Sequence, residues 1–252
     1  MKTIGLAFAI PMLLALPAVS QTQVKVIMSG GFSAAFQALQ PEFEKSTGIT
    51  IAIGRGASQG NGPNAIGSQL RRGVPADVVI LTREGLDDLI TDNRIVGGTA
   101  VDLARAPLGL AVRAGAPKPD ISTVEAFKQA LLRARSVTFP ASGTATYLTE
   151  KLFPQLGIAR EMATKTTNVG VAAVARGDAE IALQPVSELV HAPGADFVGP
   201  IPKEVQFVSV FSAGLAAGAK DPEAGRRLIE FLSSESAVAA IRSSGMEPVK
   251  GR

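Results

Sequence analysis

The sequence predicts an α/β fold built on mostly parallel strands, and two observations lead to it. Short β-branched runs alternate with segments whose apolar residues recur every three or four positions, the pattern of strands joined by crossover helices. Several strand-like runs also stop abruptly in glycine- and serine-rich loops that pass at once into a helical pattern. Open parallel sheets place ligands beyond the carboxyl ends of their strands in this way. The stretch "VKVIMSGGFSAAFQALQPEFEKSTGITI", Val24 to Ile51, holds both features.

The elements follow in order. Val24–Met28 reads as a strand. Phe32, Phe36, Leu39 and Phe43 form a helical face in which Pro41 predicts a kink or a restart, and Gly48 is placed to end it. Ile49–Ile53 is the next strand, and Ile66 and Leu70 mark a helix ending at Gly73. Arg71 and Arg72 fall late in that helix, where cations suit the dipole, and read as structural. Strands are expected at Asp77–Leu81, Pro107–Val112, Ser136–Phe139, Glu180–Leu183 and Val205–Leu215, and a short helix at Glu84–Ile90. Ser122-Thr-Val-Glu125 has capping-box spacing and opens a helix to about Arg135. Leu148, Leu152 and Leu156 share a helical face. Val171–Arg176 is a helix stopped by Gly177, Asp221-Pro222-Glu223 starts another with proline at its first position, and Ser234–Arg242 is the last, closed by Gly245. The Pro/Gly-rich stretches Arg113–Asp120 and Pro193–Glu204 suggest an inserted second lobe, with the first lobe built from both ends of the chain.

Residues 1–20 read as a secretory leader: Lys2, an apolar run from Ile4 to Leu16, then small residues at Ala18 and Ser20. The run is too short to span a bilayer. Cleavage after about Ser20 would deliver the protein to the periplasm. The chain has no cysteine and one histidine, His191, so thiolate nucleophiles, disulfides and multi-histidine metal sites are excluded. No metal or cofactor is expected. The 25 basic residues, Lys2 among them, barely exceed 22 acidic ones and form no run, and Tyr147 is the sole tyrosine in a chain without tryptophan. Nothing here points to nucleic acid, and a monomer is expected.

Four loops have ligand-binding chemistry. They are Ser29–Ser33; Gly54–Asn64, with Arg55, Ser58 and Asn61; Thr82–Glu84, with Arg83; and Pro140–Tyr147, with Ser142, Gly143 and Thr144. Each runs toward a helix N-terminus, where free N–H groups favour anions. Arginines at strand ends match carboxylates bidentately. A fifth loop, Gln184–Glu188, leaves another strand. No nucleophile–base arrangement is legible. His191 reads as a surface residue, Tyr147 as a packed ring, and Glu84 as a residue favouring a helix N-terminus.

"SGGF", "PEFEKSTGI", "RRGVPADVVI", "PASGTATYLTEKLFPQLGI", "ARGDAEIAL" and "FLSSESAVAAIRSSG" occur in that order. Through them the chain, over residues 24–245, resembles the periplasmic molybdate-binding proteins of ABC importers, which are type II solute-binding proteins. The resemblance implies a two-lobed type II periplasmic-binding-protein fold with two mainly parallel sheets joined by two crossover strands, near Leu108–Val112 and Val208–Leu215. Lobe 1 would comprise residues 21–107 plus 209–252, and lobe 2 residues 108–208. It also implies a cleft that closes on a small anion and an ABC permease in the inner membrane as partner, and with the loop residues read above the expected ligand set is Ser29, Gly30, Gly31, Phe32, Ser33, Arg55, Ser58, Asn61, Arg83, Ser142, Gly143, Thr144 and Gln184. Three places depart from the family pattern. Gly31 stands where its first loop carries serine, the Ser58–Asn64 loop is longer, and Gln184 or Pro185 falls where it has a late tyrosine. The arginines and the longer loop favour a di- or tricarboxylate. A branch resembling this family isomerises aconitate by an allylic proton shift. The residues favour a binder; the isomerase is the alternative.

Overall fold

The computed structural model describes residues 22–249, so the expected leader and its cleavage point lie outside the described residues. Among the described residues no helix is long and apolar enough to cross a membrane.

One sheet is formed by β1 (Gln23–Met28), β2 (Thr50–Arg55), β3 (Val78–Thr82), the first half of β4 (Val101–Arg113), β9 (Val208–Leu215) and β10 (Glu247–Pro248); its order is β2-β1-β3-β9-β4, with β10 pairing β4. β2, β1 and β3 are parallel, while β9 runs antiparallel between β3 and β4. The helices that join them are α1 (Ser33–Thr47), α2 (Ile66–Arg71) and α3 (Arg83–Thr91). α1 runs unbroken through Pro41, so the expected restart does not occur. Its buried face, Phe36, Leu39 and Phe43 with Phe32 just ahead, packs on β1 and β3. Burying each such side chain is worth about 1.5–3 kcal/mol, enough to hold the helix across the missing N–H of proline. Gly48 ends it at φ 71°, a conformation glycine adopts without penalty.

β4 links the two halves of the molecule. Up to Pro107 it pairs with β9 (Val208–Leu215). From Leu108 onward it pairs with β7 (Ile181–Pro185) and β8 (Ala195–Pro200). The chain therefore changes sheets between Pro107 and Leu108, ahead of the expected Leu108–Val112, and the strand begins six residues earlier than the Pro107 predicted from sequence. The second sheet continues from β7 to β5 (Val137–Thr138) and β6 (Thr166–Thr167), all parallel. Its helices are α4 (Val124–Arg133), α5 (Gly143–Thr146), α6 (Phe153–Gln155), α7 (Ala159–Ala163), α8 (Val171–Arg176) and α9 (Val186–Leu189). α4 is capped by Thr123, whose hydroxyl accepts from Ala126 N at 3.1 Å, one residue later than the capping-box spacing suggests. A π-helical turn, Tyr147–Leu152, joins α5 to α6. Within the Pro/Gly-rich stretch Pro193–Glu204, residues Ala195–Pro200 form β8.

α10 (Pro222–Leu232), α11 (Val238–Ser243) and β10 (Glu247–Pro248) return to the first sheet. Asp221 caps α10 by accepting from Ala224 N at 3.0 Å, with Pro222 at the first position as expected. Phe231 meets Phe43 with ring centroids 5.5 Å apart. The buried carboxylate of Asp77 accepts from Lys25 N at 2.7 Å and Lys220 N at 2.6 Å, tying β1 and the turn before α10 to the start of β3.

At the junction of the two halves, the Gln206 side chain hooks both strands. Its Oε1 accepts from Leu108 N (2.7 Å) and Phe207 N (2.9 Å), and its Nε2 donates to Leu108 O and Ile201 O, each at 3.1 Å. The main cores fall on either side of this point. One cluster contains Val24, Phe36, Ile80, Phe211 and Leu228, and another contains Leu110, Phe127, Phe139, Leu152 and Leu183.

Candidate functional site

The loops leaving β1, β2 and β3 face those leaving β5 and β7 across a cavity of about 500 Å³. On the first side its wall is Ser29, Gly30, Gly56, Ala57, Ser58, Asn64, Thr82 and Glu84. On the second side it is Pro140–Thr144, Asn168, Val169, Pro185 and Glu188, and Phe207, Ser209 and Phe211 line it from the strand that returns between the sheets. Ser29, Gly30, Ser58, Ser142, Gly143 and Thr144, singled out from the sequence, thus come together.

Hydroxyls and helix starts dominate this wall. Ser29 and Thr82 are buried, and neither Oγ has a hydrogen-bond partner. A buried hydroxyl without a partner costs free energy unless something else satisfies it. Ser58 Oγ accepts from Thr82 N at 3.2 Å, which draws the second loop onto the start of α3. Ser142 Oγ accepts from Thr144 N at 3.3 Å and caps α5. On the second side, Thr138 Oγ1 accepts from Gly170 N (3.0 Å) and Val169 N (3.3 Å), fixing the loop that carries Asn168.

The other residues expected at the site stand elsewhere. Arg83 pairs with Asp87 at 3.0 Å and Asp102 at 3.2 Å, and these carboxylates hold its guanidinium charged, raising its pKa. Neither it nor Arg55 lines the cavity; Arg55 is exposed and donates to Ser33 Oγ. Arg55, at the end of β2, shares a face with Ile51 and Ile53, and its hydrogen bond to Ser33 holds it beside the start of α1 rather than over the cavity. Asn61 is exposed at the tip of its loop, away from the wall, and Ser33 faces Arg55. Phe32 is a core residue with no exposed surface. Gly31 is buried behind the wall: a Cβ built there would lie within 2.7 Å of Phe211 Cε2 and closer still to Cζ. Gln184 is buried one layer back, its amide fully engaged. Its Oε1 accepts from Val171 N at 2.7 Å, which turns its Nε2 to donate to Glu188 Oε2 at 2.8 Å.

Glu188 is the residue the sequence reading passed over. It stands in the fifth loop, four residues beyond Gln184, and that spacing past a strand end was the only available signal. Gln184 occupies its Oε2, while its Oε1 is turned toward Gly30, 3.6 Å from where a Cβ on that glycine would stand. Packed protein around the carboxyl disfavours the charged form and pushes its pKa up to about 7. Glu84, also on the wall, is exposed at the first turn of α3. Among the lining residues these two carboxylates are accompanied by no lysine or arginine. An anion held here is held by hydroxyls, N–H groups and helix starts. Tyr147 and His191 take no part. The tyrosine hydroxyl donates to Val205 O at 2.8 Å, and the imidazole Nε2 lies 3.1 Å from Ser243 O. Among the described residues no group of acidic or histidine side chains is arranged to hold a metal ion.

A family model described as bacterial extracellular solute-binding protein matches residues 24–247. The chain belongs to that family. An aconitate isomerase from Pseudomonas sp. is 38% identical to this solute-binding protein over 243 residues, covering 95% of this chain and 92% of that protein. The periplasmic molybdate-binding protein of Azotobacter vinelandii superposes with a TM-score of 0.73 at 17% identity, over 91% of this chain and all of that one (100%). The substrate-binding domain of a putative molybdenum ABC transporter from Clostridium difficile gives 0.65, also at 17% identity, over 91% of this chain and 100% of that one. At such identity these structures establish the two-lobed type II fold, in which β4 and the strand returning through Phe207 and β9 are the two crossovers.

Proposed function

We propose that this solute-binding protein takes a small unsaturated polycarboxylate between its lobes and shifts its double bond by an allylic proton transfer, as an aconitate isomerase does. The observation that carries this is Glu188, a carboxyl held by Gln184 and turned toward Gly30, its pKa pushed up to about 7, on the wall of a cavity with no lysine or arginine in its lining. A proton carrier works best when its pKa lies near the working pH. The 38% identity with an aconitate isomerase along nearly the whole chain supports the same reading.

The step balances without a co-reactant. Glu188 Oε1 removes a proton from the methylene carbon beside the double bond. The electron pair spreads over the allyl system into the adjoining carboxylate, and the same proton is returned to the far end, so the double bond moves and nothing is consumed. Ser29, Thr82 and the helix starts at Arg83 and Gly143 supply donors for the carboxylates and for the charge that develops on them. Gln184 orients the base by holding its other oxygen. The division into lobe 1 (residues 21–107 plus 209–252) and lobe 2 (108–208) belongs to this reading, and β4's change of partners at Pro107–Leu108 supports its first boundary.

Incubating the purified protein with cis- or trans-aconitate and following ultraviolet absorbance tests the reading. Turnover is expected, and Glu188→Gln should lower it about 10²–10⁴-fold. Absence of turnover by the native protein, with binding intact, would leave the second reading: capture of an anion in the periplasm for an ABC permease. The neutral donors of the wall favour that alternative. A thermal-shift panel of molybdate, tungstate, sulfate and carboxylates would name its ligand.

A further inference from the structure

The second sheet carries another hollow at its far end. β5 and β7 run toward the main cavity, so their first residues, and Val112 of the antiparallel β4, lie at the opposite edge of the sheet. A groove of about 430 Å³ opens there, within the size range of small-molecule sites. Its floor is apolar, with Val112, Ala134 and Ile181 all buried beneath it. Its exposed rim holds three arginines, Arg113, Arg133 and Arg135, beside the half-buried Glu180.

These charges do not cancel. Arg135 takes both oxygens of Glu180, one through its backbone N at 2.8 Å and the other through its Nε, and this pairing holds the carboxyl below its ordinary pKa. Arg113 and Arg133 have no carboxylate partner among the described residues. Arg133 is not needed to cap its helix either, because Lys165 Nζ donates to the carbonyls of Leu131, Leu132 and Ala134 at the end of α4, each at 2.8 Å. Arg113 has room at the rim because residue 177 is glycine: a Cβ there would stand 3.3 Å from its Nη1.

This chemistry is the reverse of the main cavity's, whose donors are neutral and whose lining holds no lysine or arginine. A polycarboxylate would have to lay charge on the apolar floor. An anion with one charged end and an apolar body satisfies both parts, since arginine matches a carboxylate with paired hydrogen bonds while the body covers the floor. We infer that this groove is a second ligand site, taking a small alkyl monocarboxylate whose charged end is gripped by Arg113 and Arg133. The inference does not depend on what the main cavity binds or turns over.

The test titrates isotope-labelled protein with hexanoate and follows the backbone amide shifts. Hexanoate should bind saturably with a dissociation constant below about 1 mM. The shifts should gather at Val112, Arg135 and Ile181 and leave Gly30 and Gly143 still. Butanoate, two methylenes shorter, should bind about tenfold more weakly, and uncharged hexanol and inorganic sulfate no better than butanoate. Arg113→Gln and Arg133→Gln should each weaken hexanoate at least about threefold, and together at least about tenfold. Both side chains are exposed, so circular dichroism and the melting point should not change. Smaller losses, shifts centred on the main cavity, hexanol binding as tightly as hexanoate, or a titration that does not saturate would overturn the proposal.

Discussion

Replacing Glu188 by glutamine should make the protein more stable, and only at high pH. Burial raises the carboxyl from 4.5 to about 7, and each tenfold change in proton affinity is worth about 1.4 kcal/mol. Ionising it in the folded protein therefore costs up to about 3 kcal/mol. One edge of the group opens on the cavity, where water screens part of that cost, so roughly 1–3 kcal/mol is expected. The sign follows from proton counting. Between 4.5 and about 7 the folded chain holds a proton that the unfolded chain has lost. Stability from this group therefore falls as pH climbs through that window; the cost is complete above about pH 8 and absent below about pH 4. Glutamine has the same shape, still accepts from Gln184 Nε2 through its own oxygen, and cannot ionise. Urea unfolding followed by circular dichroism at about pH 8.5 should show the variant ahead by roughly 1–3 kcal/mol, with the gap closed near about pH 4. A gap of the same size at both values, or a native protein that is the more stable at pH 8.5, would refute the reasoning.

Anion affinity should weaken as pH rises through about 7, because ionised Glu188 repels the guest, and Glu188→Gln should flatten that dependence in calorimetric titrations. Asp77→Ala strips the acceptor from two backbone N–H groups and should lower unfolding free energy by about 2–4 kcal/mol, measured by urea denaturation. Gln206→Ala removes four side-chain hydrogen bonds at the strand crossing, although Leu108 N and O keep backbone partners, and should cost about 1–2 kcal/mol in the same assay, with a lower melting point as a second reading. Arg55→Ala and Arg83→Ala should alter the dissociation constant for aconitate less than about threefold, since neither side chain lines the cavity. A tenfold loss in either would return that arginine to the site.

Much of the molecule follows from local signals. The helical face of α1 from Phe36 to Phe43, the stops at Gly48, Gly177 and Gly245, and the Asp221 cap are all read from neighbours in sequence, and each stands where it was expected. The signals that misled were also local. Pro41 suggests a restart that the buried phenylalanines override, and the prolines and glycines of Pro193–Glu204 suggest only a change of lobe although β4 pairs with Ala195–Pro200 as a strand. At the site, sequence supplied the small hydroxyl loops but chose the wrong charged residues. Whether Arg83 reaches a ligand depends on Asp102, a partner 19 positions away, and Arg55 is held by Ser33, 22 positions away.

The sequence by itself determined the alternating elements and the loops of Ser29–Gly30 and Ser142–Thr144, because spacing, capping and turn chemistry act over a few residues; the family came from the resemblance of whole motifs. Only the tertiary structure decided that Glu188 faces those loops, that Gln184 stands behind it, and that Phe211 fills the space beside Gly31. The proton affinity of a carboxyl is set by how completely other parts of the chain shut water away from it, and that enclosure exists only once both lobes are folded and brought together.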